Sequence, residues 1–149
     1  MPAPIRIPLL LALLMSSMTL LAGDLGTDVA QVLHAIRQDQ PVPRLGYLQP
    51  APPMNQGCDY YQGRYGAIDI SVETHPGNNR VASILLQIPG PDRTRQILPA
   101  VARVIGPPDA SDRNQSIYSW DWPDYRTASL HYTGGGPDQG LTVVSIFYR

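Results

Sequence analysis

Apolar side chains recur at helical spacing in two stretches of the chain and alternate with polar ones in several others. Val29, Val32, Leu33 and Ile36 fall at i, i+3, i+4 and i+7, which is one face of one helix, and Thr27 or Asp28 can cap it. That helix must stop before Pro41, because proline has no N–H to give and crowds the turn before it. A second helical stretch carries Ile97, Leu98, Val101, Val104 and Ile105, with Asp92 as its cap and Gly106-Pro107-Pro108 as its stop. Pro99 lies inside it. An interior proline costs about 3 kcal/mol, so the spacing predicts either a kink there or a main helix that begins at Pro99.

The alternating runs read as strands. Ile68, Ile70 and Val72 alternate with Asp69, Ser71 and Glu73, the mark of a strand with one wet face. Before them, Asp59 to Tyr61 form a short strand ended by Gly63. After them, the turn formers Thr74 to Asn79 lead into Val81 to Ile88, and Pro89-Gly90-Pro91 closes that hairpin. Downstream, Ile117 to Trp122 make a strand stopped by Pro123. Ala128, Leu130 and Tyr132 alternate with polar residues, Gly134 to Gly140 form a turn, and Leu141 to Tyr148 are strongly β-forming. Residues 39 to 57 are rich in proline and cannot supply a central strand, so they read as a surface wrap in which Leu45, Tyr47 and Leu48 dock on the core.

Together these elements predict an α+β fold, two helices packed on an antiparallel β-sheet, in one domain over residues 24–149. The order helix, long loop, short strand, hairpin occurs twice, over 27–88 and 92–149. Val32 to Ile36 overlay Ile97 to Val101, Ile68, Ile70 and Val72 overlay Ala128, Leu130 and Tyr132, and Val81 to Leu86 overlay Val143 to Tyr148. Either the chain is a tandem helix-plus-meander repeat, or two amphipathic patterns coincide.

Residues 1–23 change the setting. Arg6, the apolar run Leu9 to Leu14 and the small-residue end at Ala22-Gly23 read as a signal peptide, too short and too interrupted for a stable spanning helix. Cleavage near Ala22 or Gly23 leaves a periplasmic or secreted protein with no stable membrane insertion; an uncleaved anchor is the alternative. Leu20-Leu21-Ala22-Gly23 matches the run before a lipoprotein cysteine, but Asp24 stands where the sulfur is required.

Charge is low and balanced, with 11 cationic residues, all arginine, against 12 acidic ones, so no global field points to nucleic acid. A single cysteine, Cys58, rules out an intramolecular disulfide in an oxidising compartment and leaves it buried, free or paired with another chain.

Candidate chemistry is sparse. Cys58 with His75 or His131 would suit acyl transfer only with an imidazole in reach and a lowered thiol pKa, and no nucleophile signature surrounds it. His34, His75 and His131 lack metal-ligand spacing. Asp69, Glu73, Asp121 and Asp124 offer carboxylates, although Asp69 and Glu73 look like an ordinary wet strand face. The run Gly134 to Gly136 has neither the lysine nor the context of a phosphate loop. Neither metal nor cofactor is therefore expected.

The cluster Trp120, Trp122, Tyr125 and Arg126 is more informative, since Trp, Tyr and Arg dominate binding energy at protein interfaces. Trp120 and Trp122 point to one strand face, which is either core or an exposed hot spot. The turn residues His75, Asn78 and Asn79 complete the candidate site. The helix running into Ile105-Gly106-Pro107-Pro108-Asp109, followed by the aromatic strand Tyr118-Ser119-Trp120 and a closing hairpin, resembles the small exported module of the outer-membrane assembly lipoproteins of the SmpA/OmlA type and of β-lactamase-inhibitor-like proteins, mainly over 94–149. The resemblance implies action by protein binding without a catalytic site. The chain departs from it in lacking the lipidated cysteine and the inhibitors' disulfides. The expected function is thus that of an exported bacterial envelope protein that binds another envelope or secreted protein, as inhibitor, immunity-type factor or assembly accessory. The alternatives are a small periplasmic hydrolase using Cys58 or acidic residues, and a structural accessory with no discrete site.

Overall fold

The computed structural model describes residues 23–135 and 139–149. The expected signal segment, save Gly23, lies outside the described residues, as does the centre of the Gly134 to Gly140 turn. The first helix, α1 (Leu25–Ala35), starts four residues before Val29, the first of its apolar pattern, because Asp24 rather than Thr27 or Asp28 caps it, accepting from Thr27 N at 3.2 Å. The second, α2 (Thr94–Ile105), runs unbroken through Pro99. Only one internal bond is forfeited, the one Pro99 would have donated to Arg95, and the ring sits on the exposed side of the helix. The Asp92 carboxylate accepts from Thr94 N at 2.9 Å, and Gly106, at φ 96, ends the helix in a conformation that other residues adopt poorly.

The strands are β1 (Leu48–Ala51), β2 (Tyr60–Tyr65), β3 (Ile68–Thr74), β4 (Val81–Gly90), β5 (Ala110–Asp112), β6 (Ile117–Asp121), β7 (Arg126–Gly134) and β8 (Gly140–Tyr148). They form one eight-stranded antiparallel sheet in the order β1-β2-β3-β4-β8-β7-β6-β5. Each half of the chain supplies a helix followed by four strands, and the halves join where β4 pairs with β8, with Leu86 opposite Val144. This is an α+β fold dominated by its sheet.

Two strands lie where proline argues against them. β1 falls in the Pro-rich stretch and β5 just after Gly106-Pro107-Pro108, and each is an edge strand, where Pro50's missing N–H breaks no central ladder. β2 passes through Gly63 instead of stopping there. A Cβ at Gly63 would lie 1.9 Å from the Tyr47 carbonyl oxygen, so glycine is required by close approach of backbone.

The core lies between the helices and one face of the sheet. Val29, Val32, Leu33 and Ile36 of the α1 segment and Ile97 and Val101 of α2 meet Val72, Ile84, Leu86, Leu130, Val144 and Ile146. Burying each such side chain contributes about 1.5–3 kcal/mol. Leu45 and Tyr47 pack against this cluster and Leu48 is buried in it, so the Pro-rich stretch docks on the core as expected. The opposite face carries the in-register row Gln62, Ser71, Leu85, Ser145, Ser129 and Ser119. Among the described residues no helix is long and apolar enough to cross a membrane.

Candidate functional site

The loop after α1, the β3–β4 turn and the end of β8 converge on one carboxylate. Asp39 has a left-handed backbone, φ 62, fixed by its N–H to Val81 O at 2.8 Å and by Arg80 Nη1 on its own carbonyl at 2.6 Å. Its side chain accepts from the Tyr148 hydroxyl on one oxygen, and its other oxygen lies 2.9 Å from His75 Nε2. The His75 and Tyr148 rings are 5.1 Å apart. The Tyr148 bond, above all, holds the Asp39 carboxyl below its ordinary range, helped by His75 and Arg126 and opposed by partial burial. Burial, then the bond to Asp39 and its negative charge, pushes Tyr148 up to about 12.

Beside this cluster a cleft of about 550 Å³ opens over the ends of both helices. Leu33, Ile36 and Ile105 give it an apolar wall, while Arg37, Asp39 and Arg126 bring charge to it. Trp122 and Arg126 lie together along it: the guanidinium carbon stands 5.4 Å from the indole centroid, and Arg126 Nε is 2.7 Å from Asp124 Oδ2. The turn that joins β6 to β7 holds this pair. Trp122 N donates to Arg126 O at 3.0 Å and Arg149 N to Tyr125 O at 3.0 Å, which keeps Tyr125 at φ 67 with 71% of its surface exposed.

The structure thus brings some of the expected residues together and disperses others. Trp122, Tyr125 and Arg126 form one patch, and His75 is linked to it through Asp39. Trp120 is core: it is 1% exposed and its Nε1 donates to Gly106 O at 2.8 Å, so it leaves the candidate surface. Asn78 and Asn79 serve the β3–β4 turn. Asn78 Oδ1 accepts from Arg80 N at 2.9 Å, and Asn79 accepts from Tyr61 Oη at 3.3 Å and, through its carbonyl, from Val42 N. Sequence reasoning missed Asp39 and Tyr148. Asp39 stood next to a helix stop in a stretch read as wrap, and nothing local ties it to a tyrosine so far along the chain.

The reactive groups of the sequence do not assemble into a nucleophile. Cys58 is buried, its nearest polar partner is the Gln56 carbonyl at 3.9 Å, and desolvation, then the charges of Glu73 and Asp59, push its thiol pKa up. Activation requires the opposite shift. His131 lies on the helix-free face with its Nδ1 3.1 Å from Ser129 Oγ, and burial lowers its pKa. Both Asp39 oxygens are engaged, so the carboxylate acts as a clamp between three segments. Among the described residues no three His, Cys, Asp or Glu side chains are grouped to hold a metal ion.

Compared with protein-family models, with curated proteins and with solved structures, the chain matches none.

Proposed function

We propose that this is an exported bacterial envelope protein that works by binding another envelope or secreted protein, with the Trp122–Arg126 turn as its contact point. The observation that carries the reading is Tyr125, a large aromatic side chain held 71% exposed on a turn pinned by two backbone hydrogen bonds, next to a Trp122–Arg126 stack. The exposed Tyr125 ring itself adds little to folding, since it stays in solvent. A binder gains from it, because a rigid aromatic anchor loses little entropy on docking.

Export rests on the character of residues 1–23, and a tandem origin of the two halves is supported by the strand order, which runs the same way inward from both edges of the sheet. The resemblance to SmpA/OmlA-type and β-lactamase-inhibitor-like modules agrees with both and belongs to the same proposal.

The test is capture from envelope extract by the mature protein carrying a photo-crosslinker at position 124. One specific partner is expected, with affinity reduced about 30-fold by Tyr125→Ala, the loss of a typical hot spot of about 2 kcal/mol. An unchanged partner set in Tyr125→Ala and Trp122→Ala would sink the reading.

A further inference from the structure

A second pocket shares no residue with the cleft above. It lies between α2 and the β5–β6 edge of the sheet and holds about 470 Å³, which is within the range of small-ligand sites. Two guanidinium groups, Arg95 and Arg113, line it, and no acidic side chain does. Among the described residues three other arginines form ion pairs, Arg64 with Asp69, Arg126 with Asp124 and Arg149 with Asp121, whereas Arg95 helps to hold the Asp92 carboxyl low by its charge without an ion pair to it. Arg113 makes no side-chain hydrogen bond or ion pair among the described residues. Arg95 reaches across to the Arg113 carbonyl through Nη2 at 3.3 Å, which fixes its position and leaves its other donors open.

Two hydroxyls complete the polar side. Ser111 and Tyr118 are opposite one another in the β5–β6 ladder, and both line the pocket. The Tyr118 ring is 4% exposed, yet its hydroxyl has no hydrogen-bond partner among the described residues and is not sealed from solvent. A tyrosine oxygen so placed is a donor waiting for an acceptor. The remaining walls, Leu98 and Pro99, are apolar. Pro99 therefore presents its ring to the cavity from the middle of a helix that would be more stable with another residue there.

We propose that this pocket binds a monocarboxylate with an apolar body, its carboxylate held by Arg95, Arg113 and the Tyr118 hydroxyl and its body against Leu98 and Pro99. Paired guanidiniums match a carboxylate's two oxygens, and a bare inorganic anion would leave the apolar walls unused. The carboxylate can come from the free C-terminus of a peptide or from an aliphatic acid. The site stands independently of the protein-binding reading.

Calorimetric titration of the full chain separates these sources. The probes are octanoate with octan-1-ol as its neutral control, and an N-acetylated pentapeptide ending in leucine as free acid and as amide. Saturable binding of one of the acids is expected, at least about tenfold weaker for its neutral counterpart and about tenfold weaker in Arg95→Gln and in Arg113→Gln, as for loss of one charged hydrogen bond. Whichever acid binds names the source. Both arginines are exposed, so the variants should unfold at the wild-type temperature, and Tyr118→Phe provides a second, charge-neutral reading of the same site. No saturable binding by either acid, equal binding of the neutral analogues, or affinity unmoved in both arginine variants would overturn the proposal.

Discussion

The Tyr148 hydroxyl donates to the carboxylate of Asp39, a residue 109 positions earlier in the chain, and so ties the central strand β8 to the loop that leaves α1. Tyr148→Phe is expected to destabilise the fold by about 1 kcal/mol, below the roughly 1.5–3 kcal/mol of a hydrogen bond to a charged group, because the Asp39 side chain is half exposed. Its signature is in the pH dependence. Tyr148 titrates above the ordinary tyrosine value, so its contribution is complete below about pH 10 and is lost as pH rises through about 12. Asp39 titrates below the ordinary carboxylate value, so its contribution is complete above about pH 4 and is lost as pH falls through that lowered value. The difference in stability between the wild type and Tyr148→Phe, from urea denaturation across pH, should show a plateau between these limits. In Tyr148→Phe the alkaline loss should shrink, and the latest-ionising step in the tyrosine absorbance titration should disappear.

The two tryptophans should differ sharply. Trp120 is buried and hydrogen-bonded to the residue that ends α2, so Trp120→Ala should cost about 3–5 kcal/mol. Trp122 is only partly buried at the cleft, and Trp122→Ala should cost less than half as much. Denaturant midpoints of the two variants check this, and equal losses would contradict the burial difference.

Gly63→Ala should loosen one edge of the sheet. The new methyl would press on the Tyr47 carbonyl, which cannot move without shifting the β1–β2 pairing, at a cost of about 1–3 kcal/mol. Gly46→Ala, two residues before β1, meets nothing within 4 Å and should stay within about 0.5 kcal/mol. Hydrogen exchange should locate the first effect in residues 48–51 and 60–65.

Cys58 should alkylate slowly at neutral pH, since its thiol is held protonated and is buried. Its rate relative to a free thiol should rise as pH increases past the ordinary cysteine range. Fast modification at pH 7 would mean that the loop from Asn55 to Cys58 opens readily.

Much of this architecture is legible from periodicity. The α1 and α2 faces, the alternation of β3 and the strand after the Thr74 to Asn79 turn all follow from where apolar residues fall, because burial of one face is what these elements share. Edge strands are another matter. β1 and β5 contain proline, exposed polar residues or only three positions, and they exist because a neighbour offers a ladder. Gly63 reads locally as a stop, and only the approach of Tyr47 reveals it as a fitted position. The site behaves likewise. Trp122, Tyr125 and Arg126 lie close together in sequence and read there as one cluster, and His75 reads as a turn candidate, whereas its meeting with Asp39 and Tyr148 comes only through the folded sheet, and the Arg95–Arg113 pocket needs the β5 edge that sequence does not announce.

Because β8 sits between β4 and β7, the residues synthesised last among the described ones close the middle of the sheet. Until Gly140–Tyr148 is in place, β1-β2-β3-β4 and β7-β6-β5 are separate fragments, each with a raw, unpaired inner edge of the kind that invites wrong partners. The final sheet is therefore completed by a keystone.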